Sequence, residues 1–108
     1  DACIAAMEAE DEILISAGTV AEAFIAAGRC NVADEMTSLI DGLGFTVVPL
    51  SDAAARRVAQ AYEGWGQAHH PDGLNFGDCF AYGLAKARDL PLLFKGEDFA
   101  ATDVKRAL

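Results

Sequence analysis

Short uninterrupted apolar runs, set between amphipathic helical stretches, constrain this chain more than any other feature. Ile13 to Ile15 follows an acidic stretch of Glu8, Glu10, Asp11 and Glu12 and has the profile of a strand buried on both faces, placed at about residues 12 to 16. Phe45 to Leu50 contains the β-branched run Thr46-Val47-Val48 and stops at Pro49, and Pro91-Leu92-Leu93-Phe94 forms a third run. Between the first two, Gly18-Thr19 opens a helix whose Val20, Ala23, Phe24 and Ala27 share a face. A second helix, N-capped by Asn31, carries Val32, Met36, Leu39, Ile40 and Leu43 on one side. Ser51 caps a third main helix with Val58, Ala61, Tyr62 and Trp65 inward, a fourth runs from about Phe76 to Arg88, and Lys95 to Asp103 reads as a turn and short helix. Strands alternating with helices in this order make a parallel sheet with helices on both faces. The expected fold class is therefore α/β, a three-layer α/β/α domain with a mostly parallel central sheet.

A chain of 108 residues has surface enough to bury one core, so residues 1 to 108 are expected to form a single domain. Cys3, Ile4 and Met7 already sit at one-face helical spacing behind Asp1, so the N-terminus reads as cut, with a strand missing upstream. Hydrophobic residues at 53% and charged ones at 23% exclude a disordered tail, and the apolar runs fall short of the roughly 18 residues of a membrane span. A formal charge of -9 argues against a broad basic face for duplex DNA. It leaves room for a small phosphate-handling site, because a metal ion supplies positive charge locally. Three cysteines, Cys3, Cys30 and Cys79, with no CxxC and no basic-then-apolar leader, point to a reduced cytoplasmic protein with unpaired thiols.

The informative carboxylates stand without polar company. Glu22 is the only charged residue between Ile13 and Gly28, and Asp78 the only one between Gly73 and Ala85. A carboxylate inside a core-forming window is retained for a cap, a partner or a metal, since an unpaired buried charge is costly. Glu22 lies three residues after Thr19 and Asp78 three after Asn75, so capping and chemistry stand as equal alternatives for each. Glu97, Asp98 and Asp103 follow the carboxyl end of the third strand, where open parallel sheets form their ligand crevice. Convergent carboxylates without His or Cys favour a hard cation, Mg²⁺ or Mn²⁺, and hence phosphoryl transfer or phosphodiester hydrolysis.

Other residues carry less. His69 and His70 are adjacent and point apart in regular structure, in a loop with Pro71 and Asp72. Cys79 is a candidate nucleophile, but a small buried thiol is the commoner role. Tyr62, Trp65, Phe76, Phe80 and Tyr82 fall at helical spacings and are mostly core, although an aromatic near the loop suits stacking on a base. Lys95, directly after the third strand, is a candidate phosphate contact, although an ordinary solvated lysine is the commoner role, and Arg29, Lys86 and Arg88 are further basic residues of interest.

Three stretches resemble a known family. Leu74-Asn75-Phe76-Gly77-Asp78-Cys79-Phe80-Ala81-Tyr82-Gly83-Leu84-Ala85, then Pro91-Leu92-Leu93-Phe94-Lys95-Gly96-Glu97-Asp98-Phe99 with Thr102-Asp103-Val104, and less specifically Thr19-Val20-Ala21-Glu22-Ala23, look like the PIN-domain ribonuclease toxins of the VapC type. The resemblance covers essentially the whole chain. It implies a metal-dependent endoribonuclease of a toxin-antitoxin pair, acting on structured RNA such as tRNA, held inactive by a VapB-type antitoxin and commonly dimeric. Glu22 matches the family's glutamate, Asp78 its helix aspartate and Asp98 the aspartate before the aromatic of the last motif. Gly96 stands where many members have another acidic residue, so Asp103 or Glu97 is the substitute to consider. The family's opening strand, with its Asp-Thr-Ser-like motif, has no counterpart here.

The leading expectation is an Mg²⁺- or Mn²⁺-dependent endoribonuclease in which Glu22, Asp78 and Asp98 hold metal, with Asp103 as a lesser ligand and Lys95 as a substrate contact. A non-catalytic, truncated PIN-like module that still binds an antitoxin is the alternative. A metal-binding phosphoacceptor domain is a third.

Overall fold

The computed structural model describes residues 2–67, 73–94, 99–100 and 102–107. In chain order the elements are α1 (Ala2–Glu8), β1 (Leu14–Ser16), α2 (Ala17–Arg29), α3 (Ala33–Leu43), β2 (Thr46–Val48), α4 (Asp52–Trp65) and α5 (Phe76–Arg88). β1 and β2 pair in parallel, with Leu14 opposite Thr46, Ile15 opposite Val47 and Ser16 opposite Val48. A parallel pair requires a long crossover, which α2 and α3 supply. The fold class is α/β, as the alternation of apolar runs and amphipathic stretches predicts.

Caps set the helix boundaries. Ser16 ends β1 and caps α2, its hydroxyl accepting from the Gly18 N–H at 3.2 Å. The Ser51 hydroxyl accepts from the Ala54 N–H at 3.1 Å, so α4 starts where its sequence signal places it. The expected Asn31 cap of α3 is displaced. Asn31 instead takes a left-handed φ of 58° and turns the chain between α2 and α3, and Val32 becomes the N-cap without a side-chain bond. Asparagine tolerates that conformation better than most residues, which is why it serves the tight connection rather than the cap.

The core lies between α4, α5 and the C-terminal segment. Val58 and Ala61 from α4 meet Leu74, Cys79 and Tyr82, and Phe94 and Phe99 close the cluster. Leu74 and Cys79 are fully buried. Phe94 packs on Phe99 with ring centroids 5.2 Å apart, and the Arg106 guanidinium lies 4.6 Å over the Phe94 ring. Helix α5 is the hub, packing on α4, α2 and β1.

The third expected strand, Pro91 to Phe94, is reduced to one parallel bridge between Leu92 and Arg106. The Leu92 N–H donates to the Lys105 carbonyl at 2.7 Å and the Ala107 N–H to the Leu92 carbonyl at 3.0 Å. Pro91 has no N–H to extend that ladder. On the other side, residues Leu90 to Leu93 face β1 across an apolar groove of about 390 Å³, also lined by Leu14, Ile15, Thr19, Ala81, Leu84 and Ala85. The short helix expected within Lys95 to Asp103 lies largely outside the described residues. Where that stretch is described it turns at Phe99 and bends at Thr102 and Asp103. No helix among the described residues is long and apolar enough to cross a membrane.

Candidate active site

Helix α5 opens on a complete capping box. Asn75 Oδ1 accepts from the Asp78 N–H at 2.8 Å, and Asp78 Oδ2 accepts from the Asn75 N–H at 3.1 Å. Capping is therefore one part of what Asp78 does. It also fixes the half-buried carboxylate in place at the positive end of the helix dipole.

Glu22 is placed differently. Because Ser16 caps α2, Thr19 is the third residue of the helix and Glu22 falls in the second turn, outside any cap. Its side chain crosses to α5 and rests against Gly77. A Cβ built on Gly77 would collide with the Glu22 carboxylate, so only glycine leaves room for it there. The sequence windows of Glu22 and Asp78, 56 positions apart, thus meet at the first turn of α5. Gly77 is not among the candidates that isolated charge singles out. The signal that would have marked it is a glycine inside the first turn of an otherwise strong helix, where it costs stability unless close approach requires it.

One turn away on α2, a Cβ on Gly18 would strike the Phe80 ring. The two glycines let α2 and α5 approach along one line, with Gly18 against Phe80 and Glu22 against Gly77.

Asp103 is committed elsewhere. One of its oxygens accepts from the Tyr82 hydroxyl and the other lies 3.2 Å from Lys86 Nζ. The Tyr82 hydrogen bond and then Lys86 hold its carboxyl below the usual range. Burial, followed by the charge of Asp78, pushes the Cys79 thiol up to about 11, so it stays protonated at neutral pH and is a poor nucleophile. All three cysteines are free thiols, as expected. Asp98, Glu97 and Lys95, like His69, His70, Pro71 and Asp72, lie outside the described residues.

Among the described residues, no three His, Cys, Asp or Glu side chains come together as a metal cluster. Glu22 and Asp78 bring two carboxylates, the hard oxygen donors that a divalent cation prefers, to one helix turn, with the Glu22 carboxylate filling the space that Gly77 leaves. At the carboxyl ends of both strands lies a cavity of about 130 Å³ lined by Ser16, Val48, Leu50, Phe80, Arg57 and Arg88. Among the described residues no carboxylate lines it, so Arg57 and Arg88 are the charged groups of its wall.

Residues 1–105 match the PIN domain. The chain is 47% identical over 74 residues to VapC ribonuclease Mb0625 of Mycobacterium bovis, covering 68% of this chain and 56% of the relative. It is 61% identical over 44 residues to ribonuclease VapC30 of Mycobacterium tuberculosis, covering 41% and 34% respectively. To ribonuclease VapC of Mycolicibacterium smegmatis it is 48% identical over 62 residues, covering 57% and 46%. The matched stretch spans about half the length of these relatives or less.

Proposed function

The chain belongs to the PIN-domain family, and on that premise we propose that the natural protein is a metal-dependent endoribonuclease of a toxin-antitoxin pair, cleaving phosphodiester bonds in structured RNA such as tRNA. The observation that carries this is the convergence of Glu22 and Asp78 at Gly77. Relatives named VapC ribonucleases support it.

In the proposed site Glu22, Asp78 and Asp98 hold Mg²⁺ or Mn²⁺. When bound, the metal lowers the pKa of a water and stabilises charge on the leaving oxygen. The protein's own contributions are positional. Asn75 holds the Asp78 carboxylate through the capping box, and Gly77 gives Glu22 its berth. Lys95, by its place in the motif, and Arg57 and Arg88, by the cavity they line, offset the net charge of -9 where the RNA backbone approaches. Asp103 ties the C-terminal segment to α5. For partners we propose a VapB-type antitoxin and a second copy of the chain; exposed Ile25, Val32 and Leu39 on and between α2 and α3 support a protein-binding face.

A truncated, non-catalytic module is the second reading, and one observation favours it. Among the described residues β1 is hydrogen-bonded to β2 alone, and the 390 Å³ groove beside it is mainly apolar. We place the family's aspartate-bearing opening strand in that groove, so that residues 1–108 form a PIN-like domain short of one strand and one carboxylate.

The test is Mn²⁺-dependent cleavage of a structured-RNA pool by the full natural protein. Cleavage lost with EDTA and in a folded Asp78→Asn variant supports a metal-carboxylate ribonuclease. A folded, metal-binding wild type that cleaves nothing moves the assignment to the binding module.

A further inference from the structure

Phe76 stands out beside the acidic pair. It is 66% exposed, the largest exposure among the exposed large apolar side chains described, although it opens the most buried helix of the fold. Helix geometry turns roughly 100° per residue, so Phe76 and Asp78 flank Gly77 on opposite sides, with the Glu22 carboxylate against Gly77 between them. The ring is held rather than loose. It sits edge-to-face on Phe80 with centroids 4.9 Å apart, and Phe80 in turn fills the space that Gly18 leaves by lacking a Cβ. The capping box needs only Asn75 and Asp78, so the cap does not explain an aromatic at this position. An acidic chain gains little general electrostatic attraction for a polyanion, whereas stacking on a base is indifferent to net charge.

We propose that Phe76 is the stacking platform for a nucleobase adjacent to the scissile phosphate, so that the substrate is RNA with an unpaired base at the cleavage site. This rests on the ribonuclease function and specifies which part of the RNA the site grips. An unpaired base presents a free π-face, and a ring fixed from below accepts it without ordering cost of its own.

Two measurements on the full natural protein test it. In Mn²⁺-dependent cleavage, Phe76→Leu raises KM roughly tenfold, while kcat, melting temperature and the salt dependence of KM stay near wild type, and Phe76→Trp restores KM. In the second, fluorescence anisotropy follows binding of labelled oligoribonucleotides, each lacking one base in turn, to protein carrying Asp78→Asn with or without Phe76→Leu. At one position the loss of the base and the loss of the ring are non-additive, since each removes the same contact. Wild-type protein that cleaves no RNA defeats the ribonuclease function, and the binding cycle still decides the stacking. Additivity at every position overturns it. So does a Phe76→Leu protein that binds and cleaves like wild type but loses self-association in sedimentation, which reassigns the ring to a contact between copies.

Discussion

The Tyr82 hydroxyl donates to the Asp103 carboxylate while accepting from Trp65 Nε1–H at 2.9 Å. One phenol thereby joins α4, α5 and the C-terminal segment, and Lys86 holds the second Asp103 oxygen. Tyr82 is buried and Trp65 half-buried, so removing the hydroxyl takes one hydrogen bond from the indole N–H and one from the Asp103 carboxylate. Tyr82→Phe is expected to cost roughly 1–3 kcal/mol. For a domain of this size that lowers the melting temperature by several degrees, which thermal denaturation at neutral pH reads directly. An unchanged melting temperature would mean that water replaces the phenol without loss.

The same contact predicts a stability profile with two limbs. Burial first, and the Asp103 hydrogen bond second, push the Tyr82 phenol from 10 up to about 12. Its folded pKa is raised, so its contribution is intact below pH 10 and is lost as pH rises toward 12. Asp103 has the opposite sign. Its folded pKa is lowered by Tyr82 and then Lys86, so its contribution is present above the ordinary carboxylate range and disappears as pH falls through and below it. With its side chain 55% exposed, solvent screening keeps that acid limb small. Urea titrations across pH should show the alkaline limb flattened in Tyr82→Phe and the acid limb reduced in Asp103→Asn.

Gly77 and Gly18 separate function from stability. At Gly77 the obstacle to a Cβ is the end of the flexible Glu22 side chain, which can swing away. Gly77→Ala should therefore stay within about 1 kcal/mol of wild type, helped by alanine's helix propensity. Its RNA cleavage should nevertheless fall at least tenfold, the order expected on displacing one carboxylate of the proposed metal site. Gly18→Ala meets the Phe80 ring near its root, where no simple rotation clears it. That variant should lose roughly 1–3 kcal/mol by overpacking. Paired melting and cleavage assays would sink the Glu22 assignment if Gly77→Ala cleaved as well as wild type.

The thiols should react in a fixed order. Cys30 is exposed, whereas Cys79 is fully buried with its thiol raised to about 11. Alkylation of native protein at pH 8, followed by peptide mass spectrometry, should label Cys30 at once and Cys79 only with denaturant. Rapid native labelling of Cys79 would show that the α4–α5 core opens readily.

Much of this was legible in the sequence, for physical reasons that differ by element. Helix α5 was legible end to end because its cap is local: Asn75 and Asp78 are three residues apart and bond each other. The start of α3 was not, because its apparent cap, Asn31, is more useful as the left-handed turn out of α2, and no local pattern separates the two uses. The apolar composition of Pro91 to Phe94 suits a strand, but strand formation needs a neighbour, and among the described residues only Leu92 finds one. At the site, isolation of Glu22 and Asp78 among uncharged residues marked both carboxylates. Their meeting at Gly77 and the Tyr82 hold on Asp103 depend on packing across 56 and 21 positions, which spacing does not reveal.

Thr19 gives the last test. Its hydroxyl is buried, lacks a hydrogen-bond partner among the described residues and lies in the wall of the groove beside β1. An orphaned hydroxyl costs roughly 1–3 kcal/mol, and valine has nearly the same shape with nothing left to satisfy. In residues 1–108 alone, Thr19→Val should raise the melting temperature by a few degrees. In protein carrying the proposed opening strand, a strand that bonds this hydroxyl would reverse the sign, and Thr19→Val would destabilise. Equal stabilisation in both forms would mean that no strand uses the hydroxyl, and would remove Thr19 as a support for a strand in that groove.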